Sequence, residues 1–263
     1  TLFRSFYNWN INIQLDGKNK KKSRINKIII NKIDRKRDKD KINLNIGAGD
    51  YVIDNFINLD FYNEKYYPDK KIFDQTRISY DIRNDNIPFS SEKIDNIYCS
   101  HVIEHVEERF ADYFFKECKR VLKKKGVLRI VVPDAKFLYE MCLFNSDYFA
   151  WHKFYKKKSN VDMLIEKICT SKQLNNYKLK KKIYEYEYLE LMNELTSDSI
   201  FDKDNPHNHV SFWDFEKINS YKKKYNFSRI INSKVNGSVS KEMQGDDFDI
   251  VHQNMSLYVD LIK

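Results

Sequence analysis

The chain is poor in glycine and proline, with six and four of them among its 263 residues. This scarcity argues against a long unstructured linker and against an all-β architecture dense in turns. Apolar runs are short as well, and none approaches the roughly 18–20 residues that cross a bilayer. The amino terminus lacks the apolar core of a signal peptide. We therefore expect a soluble α/β domain with an elaboration and no transmembrane segment.

Cysteine is also scarce, and the four residues Cys99, Cys118, Cys142 and Cys169 lie far apart. No two of them form a CxxC pair, so their spacing matches neither a zinc site nor the disulfide framework of a small secreted protein. We predict buried free thiols in a reducing compartment, and hence a cytoplasmic protein.

Positive charge is concentrated near the start of the chain. Of the 47 basic and 38 acidic residues, twelve and three lie in residues 18–41, which leaves 35 of each sign elsewhere. The net charge of +9 therefore belongs to this stretch. We predict a basic N-terminal extension over residues 1–41, followed by one domain over residues 42–263.

Two interpretations of the basic stretch 18–41 stay open. It is either a solvated arm or a segment that contacts an anionic surface, such as lipid headgroups or nucleic acid. Aromatic side chains are not interleaved with its basic ones, as base stacking would need.

Short apolar runs begin at residue 42 and alternate with helical patterns. Strands are predicted at residues 42–46, 56–60, 77–82, 94–100, 126–134, 227–232 and 255–262. Strands that alternate with helices indicate a largely parallel sheet with helices on its faces.

The clearest helical pattern covers residues 107–123, where apolar side chains recur at helical spacing. Lysines and Gly126 follow, and we expect that glycine to cap the helix. A helix start is also predicted near Ser100. Residues 140–200 have a helical pattern and are predicted to form an insertion over the strand ends, where acceptor specificity commonly lies.

A glycine turn follows the first predicted strand, in LNIGAGD at residues 44–50. Glycine lets a ligand approach the backbone, and ligands of open parallel sheets bind at the carboxyl ends of the strands. Asp60 closes the second strand, where a carboxylate can accept hydrogen bonds from both hydroxyls of a ribose. Asp50 would repel a pyrophosphate but tolerate a cationic sulfonium, which disfavours a dinucleotide.

Downstream segments carry a resemblance to a known family. They are YDIRNDNIPFSSEKIDNIYCSHVIEHV at 80–106, the run RVLKKKG before a VPD strand, and NPHNHVSFWDFEKI at 205–218. In this order the chain resembles the class I S-adenosylmethionine-dependent methyltransferases, and more narrowly the small-molecule branch associated with polysaccharide biosynthesis. The resemblance covers residues 42–263 and is weakest over 140–200. It implies a Rossmann-like, mostly parallel seven-stranded sheet flanked by helices, with the last strand antiparallel and a helical insertion.

The resemblance also implies a binding site for S-adenosylmethionine, whose first part lies after the first two strands. Gly47, Ala48 and Gly49 would pass beneath the methionine and ribose portions of the cofactor. Asp60 would bind the ribose hydroxyls. Only nine residues separate Ile46 from Phe56, which is too few for a full crossover helix.

The second part of the implied site follows the next two strands. Asp81 and Ile82 would border the adenine, with the carboxylate accepting from the exocyclic amine. Ser100 and His101 would lie beneath the sulfonium end.

The histidines are the remaining candidates for chemistry. His101 and His105 are four apart and share a face if residues 101–106 are helical, a spacing that can serve a metal. No third ligand is evident and the order of HExxH is absent, so we predict no metal. His207 and His209 form a second pair that can close over the same pocket. For each of these histidines a structural role competes with catalysis.

The hypothesis that follows is methyl transfer to a hydroxyl of a sugar or glycan precursor, with His105 or His207 as the base. One alternative is a non-catalytic methyltransferase-like subunit or scaffold. Another is a nucleic-acid methyltransferase, although the chain has neither an Asn/Asp-Pro-Pro-Tyr motif nor a Pro-Cys nucleophile. The acceptor and the oligomeric state stay open.

Overall fold

The computed structural model describes residues 41–144, 147–151, 158–169, 180–181 and 183–263. Predictions about residues 1–40, including most of the basic extension, lie outside these ranges. The strands are β1 (Asn43–Ile46), β2 (Ile57–Asp60), β3 (Ile78–Ser79), β4 (Ile94–Ser100), β5 (Leu122–Pro133), β6 (Arg229–Asn232) and β7 (Ser256–Ile262). The predicted strands are thus all present, although the third is only two residues long.

The strands form one seven-stranded sheet in the order β3-β2-β1-β4-β5-β7-β6 within the described ranges. The first five pair in parallel, whereas β7 is antiparallel to both β5 and β6. This confirms the predicted Rossmann-like fold, a mostly parallel sheet whose last strand is antiparallel. The carboxyl ends of β1 to β5 consequently share one edge of the sheet.

The helices that the structure describes are α1 (Lys70–Thr76), α2 (Glu108–Val121), α3 (Ala135–Phe144), α4 (Asn160–Ile168), α5 (Tyr188–Thr196) and α6 (Phe215–Lys224). α2 matches the helix predicted at residues 107–123. The start predicted near Ser100 is wrong, because only a short 3₁₀ turn over Ile103–His105 precedes α2. A left-handed residue, His101 (φ 54°), separates that turn from β4.

Gly126 does not cap α2, contrary to the prediction. The helix ends at Val121, and Leu122 is already extended and begins β5. The residue with a left-handed backbone in this segment is Lys125, near the start of β5, with φ 67°. A Cβ on Gly126 would lie 2.9 Å from the carbonyl oxygen of Lys123 and 3.0 Å from that of Asp95. The glycine is therefore needed for close packing against β4 and not for a helix end.

The connection between β1 and β2 contains no helix, as the short spacing predicts. Residues 47–56 form turns between two parallel strands. Asn58 on β2 holds this loop, because its side chain accepts from Asn45 Nδ2 (2.8 Å) and from the Ile53 amide (3.1 Å). The turn after β1 is thereby tied to the neighbouring strand.

Two apolar clusters position the site. The main core lies between the sheet and its helices and includes Leu44, Ile97, Phe114 and Trp213, none more than 1% exposed. A second cluster joins α3, α4 and α5 with Phe212 and Met255. Removal of apolar surface from water stabilises the packing of both clusters. The extent of the insertion at 140–200 stays a prediction, because several of its residues are outside the described ranges.

A buried charge network, which we call the arginine network, consists of Arg129 on β5, Asp260 on β7 and Asp249 in the loop before β7. All three side chains are fully buried. Arg129 donates to both oxygens of Asp249 (3.1 and 2.5 Å) and to Asp260 Oδ1 (3.0 Å). Because Arg129 and Asp260 are register partners, the antiparallel pairing of β5 with β7 brings this ion pair together.

None of the described helices has the length and apolar character of a membrane span.

Candidate functional site

The predicted binding residues gather at the carboxyl edge of the sheet. The glycine turn follows β1, Asp60 ends β2, Asp81 follows β3, and Ser100 ends β4. These four strands are neighbours in the order β3-β2-β1-β4 and run in parallel. Topology thus places in one region Gly47 and Ser100, which are 53 positions apart in the chain.

The glycine turn needs its two glycines for different reasons. Gly47 (φ 72°) packs against the segment after β4, and a Cβ there would lie 2.1 Å from Val102 Cγ2. Gly49 (φ 51°) faces open space, with no described atom within 4 Å of a built Cβ. Both backbone conformations are left-handed and favour glycine. Gly47 is therefore required for packing against Val102, and its predicted cofactor contact stays a prediction, while Gly49 leaves a space that a ligand can enter.

Asp60 fastens the glycine turn. Its Oδ2 accepts from the Gly49 amide (2.5 Å) and from the Tyr67 hydroxyl (2.6 Å), and its Oδ1 accepts from the Phe61 amide (2.6 Å). Burial raises the pKa of the Asp60 carboxyl, although these hydrogen bonds oppose the rise. A carboxylate has about four acceptor positions, so one on Oδ1 stays available for a hydroxyl.

Arg77 completes the support of the turn and was missed at the level of sequence. Its Nε and Nη2 donate to the Gly49 carbonyl oxygen (3.1 and 2.5 Å), and its guanidinium lies 4.9 Å from the ring centroid of Tyr67. Gly49 is therefore held through its amide by Asp60 and through its carbonyl by Arg77. No local pattern marks Arg77 for this role, because it follows Gly49 by 28 residues.

Asp81 is engaged by its own turn. Its two oxygens accept from the Arg83 amide, from Arg83 Nε and Nη2, and from Asn84 Nδ2, at 2.8–3.0 Å. Although burial opposes the change, the hydrogen bonds from Arg83 lower the pKa of Asp81. Arg83 also stacks on Phe201 at 3.6 Å from its ring centroid. An adenine amine would have to replace one of these donors, so the predicted role of Asp81 stays a prediction.

Ala48 and Ile82, the apolar members of the predicted set, are 3% and 7% exposed. Ser100 is half-buried at the end of β4. His101 is bonded at both ring nitrogens: Nδ1 donates to Glu104 Oε1 (3.0 Å), and Nε2 lies 3.0 Å from Ser256 Oγ. Its left-handed backbone shows that residues 101–106 are not one helix, so His101 and His105 do not share a helical face.

The two late histidines contact different loops. His207 Nδ1 pairs with the Tyr66 hydroxyl in the loop after β2. His209 packs against His105, with ring centroids 4.8 Å apart, in the turn after β4. The chain between them therefore runs across the carboxyl edge from β2 to β4. Asn63 Nδ2 also donates to the Lys203 carbonyl (2.8 Å), which ties residues 200–207 to the same loop.

Beside His105 lies a buried group, Glu104, whose side chain is 2% exposed. Burial alone would raise the pKa of Glu104, but the hydrogen bond from His101 and the nearby His105 lower it to about 2. Burial lowers the pKa of His209 to about 3. At neutral pH the carboxylate is therefore charged and the His209 ring is neutral.

Comparison with known proteins gives one family match. Residues 54–130 match a family described as a methyltransferase domain. The matched range includes Asp60, Asp81, Ser100, His101 and His105. It supports a methyltransferase enzyme that uses S-adenosylmethionine. A search of curated proteins found no match to the chain.

Solved structures with a similar arrangement are distant in sequence. A SAM-dependent methyltransferase from Archaeoglobus fulgidus is 13% identical, over 85% of this chain and 86% of that chain, with a TM-score of 0.44. Another from Thermotoga maritima is 13% identical, over 85% and 83%, with a TM-score of 0.40. PKMT2 from Rickettsia typhi, in complex with AdoHcy, is 13% identical, over 84% and 48%, with a TM-score of 0.38. All three TM-scores are below 0.5.

The residues at the carboxyl edge fit the methyltransferase's cofactor in two respects. Gly49 opens onto free space at the turn after β1, and Asp60 keeps an acceptor position at the end of β2. A ribose hydroxyl is a suitable donor for that position. Two predicted contacts need rearrangement: Asp81 is engaged by Arg83, and Asp60 would have to release a donor such as the Tyr67 hydroxyl to accept from a second ribose hydroxyl.

Proposed function

We propose that this methyltransferase modifies a hydroxyl of a small-molecule acceptor, a sugar or glycan precursor, as in the branch associated with polysaccharide biosynthesis. The observation that carries the proposal is a pair of histidines, His105 and His207, beside the carboxyl edge where the cofactor residues gather. A hydroxyl must lose its proton as it is methylated, and histidine is suited to accept it near neutral pH. A cytoplasmic location is part of the same proposal.

His105 is the better placed of the two bases. Its Nδ1 donates to the Asn208 carbonyl oxygen (3.2 Å), so in the neutral ring the lone pair is on Nε2. The side chain is 21% exposed, which leaves it accessible from the edge. It is five residues beyond Ser100, the last residue of β4, and would take the hydroxyl proton on Nε2.

His207 is the second candidate, and its environment is more open. Its Nδ1 pairs with the exposed hydroxyl of Tyr66. This pair joins the loop after β2 to residues 200–207, so His207 can also restrict water at the edge.

The chain's remaining contribution is alignment. S-adenosylmethionine supplies a methyl group that its sulfonium already activates. Gly47, Gly49 and Asp60 would hold it, with Ser100 at the reacting end. Holding two reactants in line is itself a large part of the rate enhancement of such a displacement.

The first experiment is calorimetric titration with S-adenosylmethionine and S-adenosylhomocysteine. Wild type should bind both, and Asp60→Ala should lose at least about 10-fold in affinity, since a hydrogen bond to a charged group contributes about 1.5–3 kcal/mol. Tyr67→Phe is the matched control, because it removes one donor to Asp60 and keeps the carboxylate. Absence of binding to folded wild type would refute the proposed cofactor site.

The second experiment tests the acceptor. A panel of nucleotide sugars and free hexoses is incubated with methyl-labelled cofactor, and transfer is compared in wild type, His105→Ala and His207→Ala. Loss of turnover in one variant with cofactor affinity unchanged supports a base. Unchanged turnover in both variants removes this assignment, and absence of label in every sugar removes the sugar acceptor.

A further inference from the structure

A cluster of three potential metal ligands, which we call the histidine cluster, consists of Glu104, His105 and His209. Glu104 and His105 lie in the turn after β4. One potential ligand atom from each residue lies within 4.8 Å of the other two. His105 Nε2 is 3.9 Å from Glu104 Oε1. The backbone fixes this arrangement, because the amides of Val210 and Ser211 donate to the Glu104 carbonyl oxygen at 2.8 and 3.2 Å.

Both imidazoles are oriented by backbone carbonyls. His105 Nδ1 donates to Asn208 O (3.2 Å), and His209 Nδ1 donates to Lys167 O (2.6 Å). A carbonyl can only accept, so in each neutral ring the lone pair is on Nε2. Metal-binding histidines commonly donate their other ring N–H to such a group, which fixes the tautomer.

Glu104 supplies an independent observation. Its side chain is 2% exposed, and its Oε2 has no hydrogen-bond partner among the described residues. Its Oε1 accepts from His101. An unpartnered oxygen on a buried carboxylate is costly, because it has given up water without a replacement. The Glu104 oxygen that lies 3.9 Å from His105 Nε2 is Oε1, so a cation that binds both carboxylate oxygens would satisfy Oε2 as well.

We propose that Glu104, His105 and His209 form a binding site for a divalent transition-metal ion of the zinc type. Two imidazole nitrogens and one carboxylate suit such an ion, and three protein ligands leave a position for a further oxygen. Tetrahedral ligands at 2.0–2.2 Å are about 3.4 Å apart. The separation of 3.9 Å between His105 Nε2 and Glu104 Oε1 has to shorten by about 0.5 Å, and a separation of 4.8 Å by about 1.4 Å, which rotation of the side chains has to supply. His101 would hold the carboxylate from outside.

Binding of the ion does not depend on the proposed methyl transfer. The role of the ion in activating an acceptor hydroxyl rests on that proposed function. In the metal-loaded protein His105 is a ligand and no longer a base. The open position would then bind the acceptor oxygen and lower the pKa of its hydroxyl, since a bound cation stabilises the deprotonated oxygen.

The test uses the full chain, treated with a chelator and titrated with Zn²⁺ and Co²⁺. Wild type should bind one ion, and Co²⁺ should show the absorption of a site without thiolate, because the four cysteines are buried. Glu104→Gln and His209→Gln should each weaken binding by more than about 100-fold, the upper end of the loss seen when only an outer partner of a metal ligand is removed. His207→Gln is the matched control and should bind as wild type does. Circular dichroism establishes that each variant is folded.

Two results would overturn the site: no binding of either ion to folded wild type, or equal affinity in wild type, Glu104→Gln and His209→Gln. The outcomes also separate this proposal from the proposed function. Metal binding without methyl transfer to any sugar leaves the site and refutes the acceptor. Methyl transfer to a sugar that is unchanged by chelation, in a protein that binds no metal, refutes the metal site and leaves the proposed acceptor.

Discussion

Two groups of buried charge differ in how completely their polar atoms are paired. In the arginine network, Arg129 donates to both carboxylates and to the Lys234 carbonyl oxygen. Asp249 accepts two further hydrogen bonds, from the Tyr98 hydroxyl and the Asn236 amide. In the histidine cluster, Glu104 is equally buried, but its Oε2 lacks a partner among the described residues.

The difference separates a structural role from a binding role. A buried network with every group satisfied contributes rigidity and needs nothing else, whereas a partly satisfied one retains an unpaired polar group. The positions of the two groups in the fold support the same distinction between a structural and a binding role. The arginine network joins β5, β7 and the loop at 245–252, while the histidine cluster lies at the carboxyl edge where ligands of such sheets bind.

The largest expected effect is from Arg129→Met. This change leaves Asp249 and Asp260 buried without their counter-ion, and removal of one partner from a buried ion pair costs about 3–5 kcal/mol. Urea denaturation should show this loss in the free energy of unfolding. Arg229→Ala, at an exposed position on β6, is the control and should stay within about 0.5 kcal/mol of wild type. Equal stability of both variants would contradict the structural role.

Zinc should stabilise wild type next most strongly. An ion present at 100 times its dissociation constant, and bound only by the folded protein, adds about 2.7 kcal/mol. Thermal unfolding with and without Zn²⁺ measures the gain. Glu104→Gln should show little of this gain in stability, whereas Asp260→Asn, a conservative change in the arginine network, should show the same gain as wild type. An equal gain in Glu104→Gln would place the ion elsewhere.

A smaller loss is expected from Asp260→Asn, a nearly isosteric change. Asp260 Oδ1 accepts from Arg129 and Oδ2 from the Val239 amide (3.0 and 2.7 Å), so an amide nitrogen in either place would face a donor. We expect a loss of about 2 kcal/mol in the free energy of unfolding, measured with urea, from the impaired charged hydrogen bond. A neutral result would show that the network tolerates the loss of a charge.

The smallest effect should be from Glu104→Gln in metal-free protein. The amide oxygen can keep the hydrogen bond from His101, and the amide nitrogen replaces an oxygen that had no partner. One unpaired polar atom is exchanged for another, but the hydrogen bond from His101 loses its charged acceptor, so the free energy of unfolding should fall by about 1 kcal/mol. A loss as large as that of Asp260→Asn would mean that Glu104 is as fully paired as the arginine network.

Most of the fold could be predicted from the sequence, because the signals for it are local. Short apolar runs end at Gly47, Asp60 and Ser100, and each is a strand in the structure. Periodicity and strand-end residues depend on neighbours in the chain, and parallel pairing then brings the strand ends together. The helix end at Val121 was misjudged because a glycine after lysines looks like a cap, while contacts with Asp95 decide its position.

The order of these groups along the chain could be predicted from the residues alone: a glycine turn after the first strand, an acid at the end of the second, and histidines after the fourth. Which of them come into contact depends on the tertiary fold. Arg77 reaches Gly49 across 28 residues, Arg129 reaches Asp249 across 120, and His209 meets His105 from the far side of the helical region. Such contacts depend on how distant segments pack, and no spacing in the sequence encodes them. The sequence predicts that His209 closes over the pocket of His105, but only the folded chain shows that it lies within 4.8 Å of Glu104 and His105.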